Sequence, residues 1–312
     1  MKIVCDKHIP FFVEAVQQAW PEVTICPMDS EQINADTLHD ADVLVVRTRT
    51  KVNAELLENT CVRLVCTATI GYDHIDTAYC KEHDVHWTTC PGCNAQAVCD
   101  YIEEALNHLP ITNLQTPLNP TIGVIGVGHV GSLVAQMAER KGLHVLLNDP
   151  PKGIGVSLEE IAEKCDIITF HVPLDATTFH LCDASFLAKC KPTTLIINAA
   201  RGGVVDEKAL LQSSLPFILD TWENEPRINP EVVQQALLAS MHIAGYSMEG
   251  KRKATQMCLD EIARIYQLPF IHLQPCKDAK GDSQPGWLAR ITMHLKAHPE
   301  QFEALRSQYL LR

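Results

Sequence analysis

Basic residues are in short supply. Against 38 Asp and Glu stand 26 Lys and Arg, which leaves a formal net charge of −12 at pH 7. A chain so acidic repels polyanions, and this argues against nucleic acid or an anionic membrane as its main partner. Long apolar runs are missing as well; none reaches the roughly 20 residues that a membrane-spanning helix needs. The start has no secretory leader pattern, because Asp6 and His8 interrupt any apolar core there. Cys90-Pro-Gly-Cys93 is a CxxC, but no second CxxC accompanies it, so a zinc ribbon is not indicated. The Asp73-His74 pair is too small a set for a metal and reads as a turn, so no metal is expected. Cysteine itself is plentiful: 13 residues, an odd number, scattered through apolar segments. That pattern argues against a disulfide framework and fits a reducing cytoplasm. The CxxC is explained by two buried or loop cysteines as well as by a redox pair.

What is present suits a globular protein of about two domains: 312 residues, 46% of them apolar. The stretch Thr121–Pro151 organises the rest. Ile122 to Ile125 reads as a buried strand, Val130 to Arg140 as a helix, and His144 to Asn148 as a second strand. Between the first strand and the helix, Gly126, Gly128 and Gly131 keep the G-x-G-x-x-G spacing. The first glycine permits a tight turn, the second lets a pyrophosphate approach the backbone, and the third lets helix and strand pack closely. Free N–H groups at the helix start, at His129 and Val130, attract the pyrophosphate. Asp149 stands where a carboxylate accepts hydrogen bonds from the adenosine ribose. It repels a 2′-phosphate, and no Arg adjoins it, so the expected cofactor is NAD and not NADP.

Elsewhere short apolar strands alternate with helical segments, the pattern of an α/β fold with parallel sheets. Ligands of such sheets sit outside the carboxyl ends of the strands, so the residues just after each strand are informative. After Val43–Val46 comes Arg47-Thr48-Arg49-Thr50-Lys51, either a solvated basic loop or an anion site. Thr67-Ala68-Thr69 succeeds another strand, and its small residues allow a ligand near the backbone. Arg201, Glu225 and His242 all lie on the expected ligand side. A nicotinamide enzyme that oxidises an alcohol needs a proton acceptor, for which His is suited. A carboxylate can orient that His, and a cation can hold a substrate carboxylate. Any one of the 14 histidines is more often structural. It is the joint placement of the three that carries weight.

The segments IGVIGVGHVG, INAARGGVVDEKAL, LDTWENEP and HIAGY resemble the D-2-hydroxyacid dehydrogenase family, over about Met1 to Leu273. The resemblance implies two Rossmann-like, doubly wound parallel-sheet domains with a cleft between them. It implies Arg201 as the substrate-carboxylate ligand, Glu225 as the residue that orients His242, and His242 as the acid/base. Ala200, Arg201, Asp220 and Gly245 would border the cofactor, Asp220 against the nicotinamide carboxamide. A narrower resemblance, carried by VVRT, KVN, TAT, PGCNA, NDPP and HIAGYSMEGK, is to members whose substrate is a small phosphorylated 2-hydroxy acid. By that likeness Thr48, Thr69 and Tyr246 contact substrate, and Arg47 with Arg49 or Lys51 is expected to hold the phosphate. The alternatives are a family member with another 2-hydroxy acid and an NAD-sensing scaffold that keeps the trio without turnover.

The expected division is residues 1–93 with about 255–274 as substrate domain and 94–254 as NAD-binding domain. Residues 275–312 form a short C-terminal extension, read as one helix plus a tail. It is much smaller than the dimerisation domain of familiar relatives, although a homodimer is still expected.

Overall fold

The structure is a computed structural model and describes residues 1–108, 119–276 and 286–311. Most of the two polar linkers expected around residues 110–120 and 275–285 lies outside the described residues. The chain divides into two compact units, Met1–Asn94 with Ser247–Ala279, and Ala95–Tyr246 with Lys280–Arg312.

The first unit runs β1 (Lys2–Asp6), α1 (Phe12–Ala19), β2 (Thr24–Met28), α2 (Ala35–Leu38), β3 (Val43–Val46), α3 (Ala54–Leu57), β4 (Leu64–Thr67), α4 (Thr77–Glu82) and β5 (His86–Thr88). Its strands form one parallel sheet in the order β2-β1-β3-β4-β5. The all-apolar VLVV of β3 reflects burial on both faces. Val43 and Val45 point into a cluster with Phe12 and Val16 of α1. Leu44 and Val46 point into a second cluster with Leu38, Leu56 and Leu57. A later helix, Met248–Tyr266, returns to this unit and covers the first cluster with Ala254, Cys258, Leu259 and Ile262. Its return begins at Ser247, whose hydroxyl caps the helix by accepting from Gly250 N–H at 3.0 Å. The CxxC lies in the same cluster. Cys90 is fully buried and its Sγ donates to the Thr67 and Ala254 carbonyls. Burial pushes the Cys93 thiol up to about 12, so neither is poised as a thiolate.

The second unit runs α5 (Ala95–His108), β6 (Thr121–Ile125), α6 (His129–Arg140), β7 (His144–Asp149), β8 (Ile154–Gly155), α7 (Leu158–Lys164), β9 (Ile167–Phe170), α8 (Ala184–Leu187), β10 (Leu195–Asn198), α9 (Glu207–Ser213), β11 (Phe217–Leu219), α10 (Pro230–Gln235) and β12 (Leu238–Ala239). The returning helix described above is α11. The unit ends with α12 (Trp287–Ala297) and α13 (Phe302–Gln308), two helices where one was expected. The sheet order is β12-β11-β10-β9-β6-β7-β8. All pairs are parallel except the short β7–β8 pair. Both sheets are thus Rossmann-like and doubly wound, as expected. In the second, strand order reverses between β6 and β9, which makes that the switch point where ligands bind.

The C-terminal helices belong to this core. Trp287, Leu288, Leu295 and Phe302 all join its main apolar cluster. Thr292 of α12 finishes the edge of the sheet, its Oγ1 accepting from Ala239 N–H of β12 at 2.9 Å. No described helix is long and apolar enough to cross a membrane. Phe302 is fully buried. Phe302→Ala should cost about 3–5 kcal/mol and lower Tm in a thermal melt, because truncation leaves a cavity in a packed core. An unchanged Tm would show that α13 is not part of the core.

Candidate active site

The glycine-rich turn obeys the steric logic of its spacing. Gly126 has φ +89°, and a Cβ there would lie 2.8 Å from the His171 backbone. A Cβ on Gly131 would sit 1.9 Å from the Gly126 carbonyl, which is why α6 can start hard against β6. Gly128 is different: the space where its Cβ would stand is open, with no atom within 4 Å. It is the N-cap of α6 and offers no side-chain cap, so the first N–H groups of the helix, from His129 and Val130 on, are left for an outside acceptor. Asp149, nearly buried at the end of β7, fixes this loop by accepting from Val127 N–H at 2.9 Å. Lys152 lies 3.5 Å from the same carboxylate and donates to the Val127 carbonyl. The open Gly128 face and the acid at the end of β7 fit a dinucleotide.

Further along the same sheet edge the ends of β10, β11 and β12 build a second set. Asn198 closes β10; its amide donates to the Arg201 carbonyl and its oxygen accepts from Ala200 N–H. Arg201 is thereby held in extended conformation before a short 3-10 turn, Gly202–Val204. The glycine behind it serves a purpose that the spacing did not reveal. A Cβ on Gly202 would lie 1.9 Å from the Trp222 carbonyl, so Gly202 is what lets the loop after β10 touch the loop after β11.

In that second loop Glu225 is clamped at both ends. Its Oε1 accepts from Trp222 N–H at 2.9 Å, and its Oε2 lies 2.8 Å from His242 Nδ1. A carboxylate on Nδ1 favours the tautomer with the proton there and leaves the Nε2 lone pair free to accept one. His242 stands in left-handed conformation, φ +57°. A buried carboxylate supports it: Asp220 Oδ1 accepts from Ile243 N–H and Ser240 Oγ, and its Oδ2 from Ala244 N–H. Tyr101 extends the network with a 2.8 Å contact to Ser240. Arg201, Glu225 and His242 line one hollow of about 510 Å³, joined by Leu174, Phe179, His180 and Glu223. Gly245 and Tyr246 come directly after on the same turn.

Sequence reasoning missed the acids around this hollow. Glu223 pairs with His180, and its backbone N–H donates to Glu207 at 2.8 Å. Burial, then the charges of Glu223 and Glu225, push the Glu207 carboxyl up to about 7. Among the described residues no group of three or more His, Cys, Asp or Glu is arranged to hold a metal ion.

The first unit carries the other named residues. Arg47 is not loose in its basic loop. Its Nε and Nη2 donate to Asp6 at 2.8 and 3.1 Å, and Asp6 is fully buried at the end of β1. Burial would raise the Asp6 carboxyl, but the Arg47 guanidinium and the His8 backbone N–H outweigh it and hold the pKa low. Thr48, Arg49 and Lys51 line a hollow of about 550 Å³ with Asn53, Asp73 and His74. Thr69 bonds to Thr67 and the Gly71 carbonyl, and Thr67 to His74, so a hydroxyl chain borders that hollow.

Residues 107–244 match the family described as the D-isomer specific 2-hydroxyacid dehydrogenase, NAD-binding domain. That family defines the class: an oxidoreductase with NAD as cofactor. The whole chain is 41% identical to the erythronate-4-phosphate dehydrogenase of Bacteroides thetaiotaomicron, covering 97% of it. With its counterpart from Pseudomonas fluorescens the identity is 38%, over 96% of this chain and 80% of the relative. The chain belongs to the erythronate-4-phosphate dehydrogenase family of the D-2-hydroxyacid dehydrogenases. Among solved structures the fold is similar to that of NAD+-bound 3-phosphoglycerate dehydrogenase from Entamoeba histolytica, with TM-score 0.71 and 22% identity over 88% of this chain and 99% of that one. It is also similar to a D-lactate dehydrogenase from Aquifex aeolicus complexed with NAD and lactic acid, with TM-score 0.67 and 23% identity over 86% and 96%.

Glu207 supplies a pH test. Its folded-state pKa lies above the unfolded value, so its ionisation costs stability progressively from about pH 4.5 to 7 and fully above that range. Glu207→Gln should therefore raise Tm at pH 8, by about 3 °C, with the gain vanishing near pH 4. A gain that is equal at both pH values would mean that the carboxyl is not perturbed.

Proposed function

We propose that the chain oxidises 4-phospho-D-erythronate at C2 to the 2-oxo acid, with NAD as acceptor, in the synthesis of pyridoxal 5′-phosphate. The observation that carries this reading is the His242–Glu225 dyad facing the same hollow as Arg201, in a chain alike over its full length to erythronate-4-phosphate dehydrogenases. NAD, when bound, supplies the hydride acceptor. Arg201 holds the substrate carboxylate with its planar guanidinium. His242 Nε2 takes the C2 hydroxyl proton, and the imidazolium so formed is stabilised by Glu225 on Nδ1. As the O–H bond breaks, the C2–H bond breaks too, its electron pair leaves as hydride, and C2=O forms. Gly126, Gly128, Gly131, His129 and Val130 receive the pyrophosphate, and Asp149 the ribose. Ala200, Asp220 and Gly245 border the nicotinamide; Asp220 Oδ2 has a second lone pair for an amide N–H.

The phosphate is assigned to Arg49 and Lys51, with Thr48, Thr69 and Tyr246 as further substrate contacts. Arg47 is read here as the anchor of the basic loop on β1, because its Nε and Nη2 already donate to Asp6. The subunit acts as a homodimer in the cytoplasm in this reading. The thirteen cysteines, none in a disulfide, are consistent with that compartment.

Two experiments test the assignment. His242→Ala should lower kcat by about 10³-fold or more while NAD binding, followed by fluorescence titration, stays within a few fold. Near-normal turnover would remove His242 as the base. The basic loop should split by residue. Arg49→Ala and Lys51→Ala should each raise the KM for 4-phosphoerythronate about tenfold, with Tm lowered far less than by Arg47→Ala. Arg47→Ala should instead cost about 3 kcal/mol of stability, because it strands a buried carboxylate. The opposite split would return the phosphate to Arg47.

A further inference from the structure

One cation at the far end of the chain touches a residue of the candidate site. Arg306 lies on α13, and its Nε–H donates to the Tyr246 phenol oxygen at 3.1 Å, across 60 residues of sequence. Its guanidinium carbon is 5.7 Å from the centre of the Tyr246 ring. The Tyr309 ring, from the same C-terminal segment, lies 6.4 Å from that ring. Burial opposes the Arg306 charge, but Tyr246, Glu303 and Glu225 outweigh it and keep the guanidinium firmly protonated. The helix that carries it cannot drift, since Phe302 is sunk in the core of the unit.

A phenol four residues past His242 swings about two side-chain torsions, and a fixed donor on its oxygen removes that freedom. We propose that Arg306 is a positioning residue for the substrate site, setting the Tyr246 phenol against the bound anion. This inference rests on the reading of Tyr246 as a substrate contact. It makes the C-terminal helix part of the specificity apparatus.

The test compares the full-length wild type with Arg306→Ala, Arg306→Lys, Tyr246→Phe and the Arg306→Ala/Tyr246→Phe double variant. KM for 4-phosphoerythronate, kcat, KM for NAD and Tm are measured for each. Arg306→Ala should raise the substrate KM about tenfold, with kcat changed less than about threefold and the NAD KM unmoved. Arg306→Lys should fall between, because it keeps the charge but not the planar donor. The double variant should be no worse than Tyr246→Phe alone, because the two act through one contact. An unchanged substrate KM in Arg306→Ala, or effects that multiply in the double variant, would overturn the proposal. So would a loss of Tm like that of Phe302→Ala with substrate and NAD KM values moving together, which marks a purely structural role. Should the wild type not turn over 4-phosphoerythronate, the substrate assignment fails on its own. The same variants are then compared by oxalate dissociation from the enzyme–NADH complex, where the same pattern decides the role of Arg306.

Discussion

The candidate site hangs on a buried carboxylate that does no chemistry in the proposed reaction. Asp220 is held at 1% exposure at the end of β11 and collects three donors: the Ser240 hydroxyl and two backbone N–H groups of the turn after β12. Charge-assisted bonds in a dry setting are the strong ones, and these bind two neighbouring strand ends into one rigid piece. His242 can therefore be kept in a left-handed conformation that a non-glycine residue rarely adopts. The reach from His242 Nδ1 to Glu225 is then set by the scaffold and not by side-chain chance. Preorganisation of this kind is what lets a single proton acceptor work without a search.

The same arrangement recurs in the first unit. Asp6 and Arg47 close β1 onto β3 at the point where strand order reverses. In both units a buried acid at a strand end serves as an internal brace, and the groups proposed to move the proton or hold the substrate anion stand one loop further out. Cations near each hollow either hold the frame, as Arg47 does, or face the ligand, as Arg49, Lys51 and Arg201 do in the proposed reaction.

Much of this was legible from sequence because it rests on local sterics. Gly126 and Gly131 have no alternative residue at their contacts, and apolar runs such as VLVV and LIIN declare strands buried on both faces. Arg201, Glu225 and His242 could be found by asking which residues stand just past each strand. The acid end of β1, Asp6, obeyed the same rule, yet nothing in its neighbourhood signalled a partner 41 residues away. Helix α11 was harder still. Beside Leu259 and Ile262 it buries Gly250, Ala254, Thr255, Cys258 and Ala263, small residues that weaken the hydrophobic rhythm. Glu207 and Arg306 were invisible for a different reason: their meaning comes from burial beside charges brought in from other elements, a property of the tertiary fold alone.

The two crossings of the chain have a consequence for how the molecule is made. The first unit lacks the cover of one sheet face until Ser247 onward has been synthesised, and the second lacks Trp287 to Phe302 from its core until later still. Domains ordinarily fold as units, the N-terminal one first, while the ribosome is still at work. Here each unit takes a later segment into its core. Each unit is therefore completed by contacts between residues far apart in sequence, and non-local contacts of this kind slow folding.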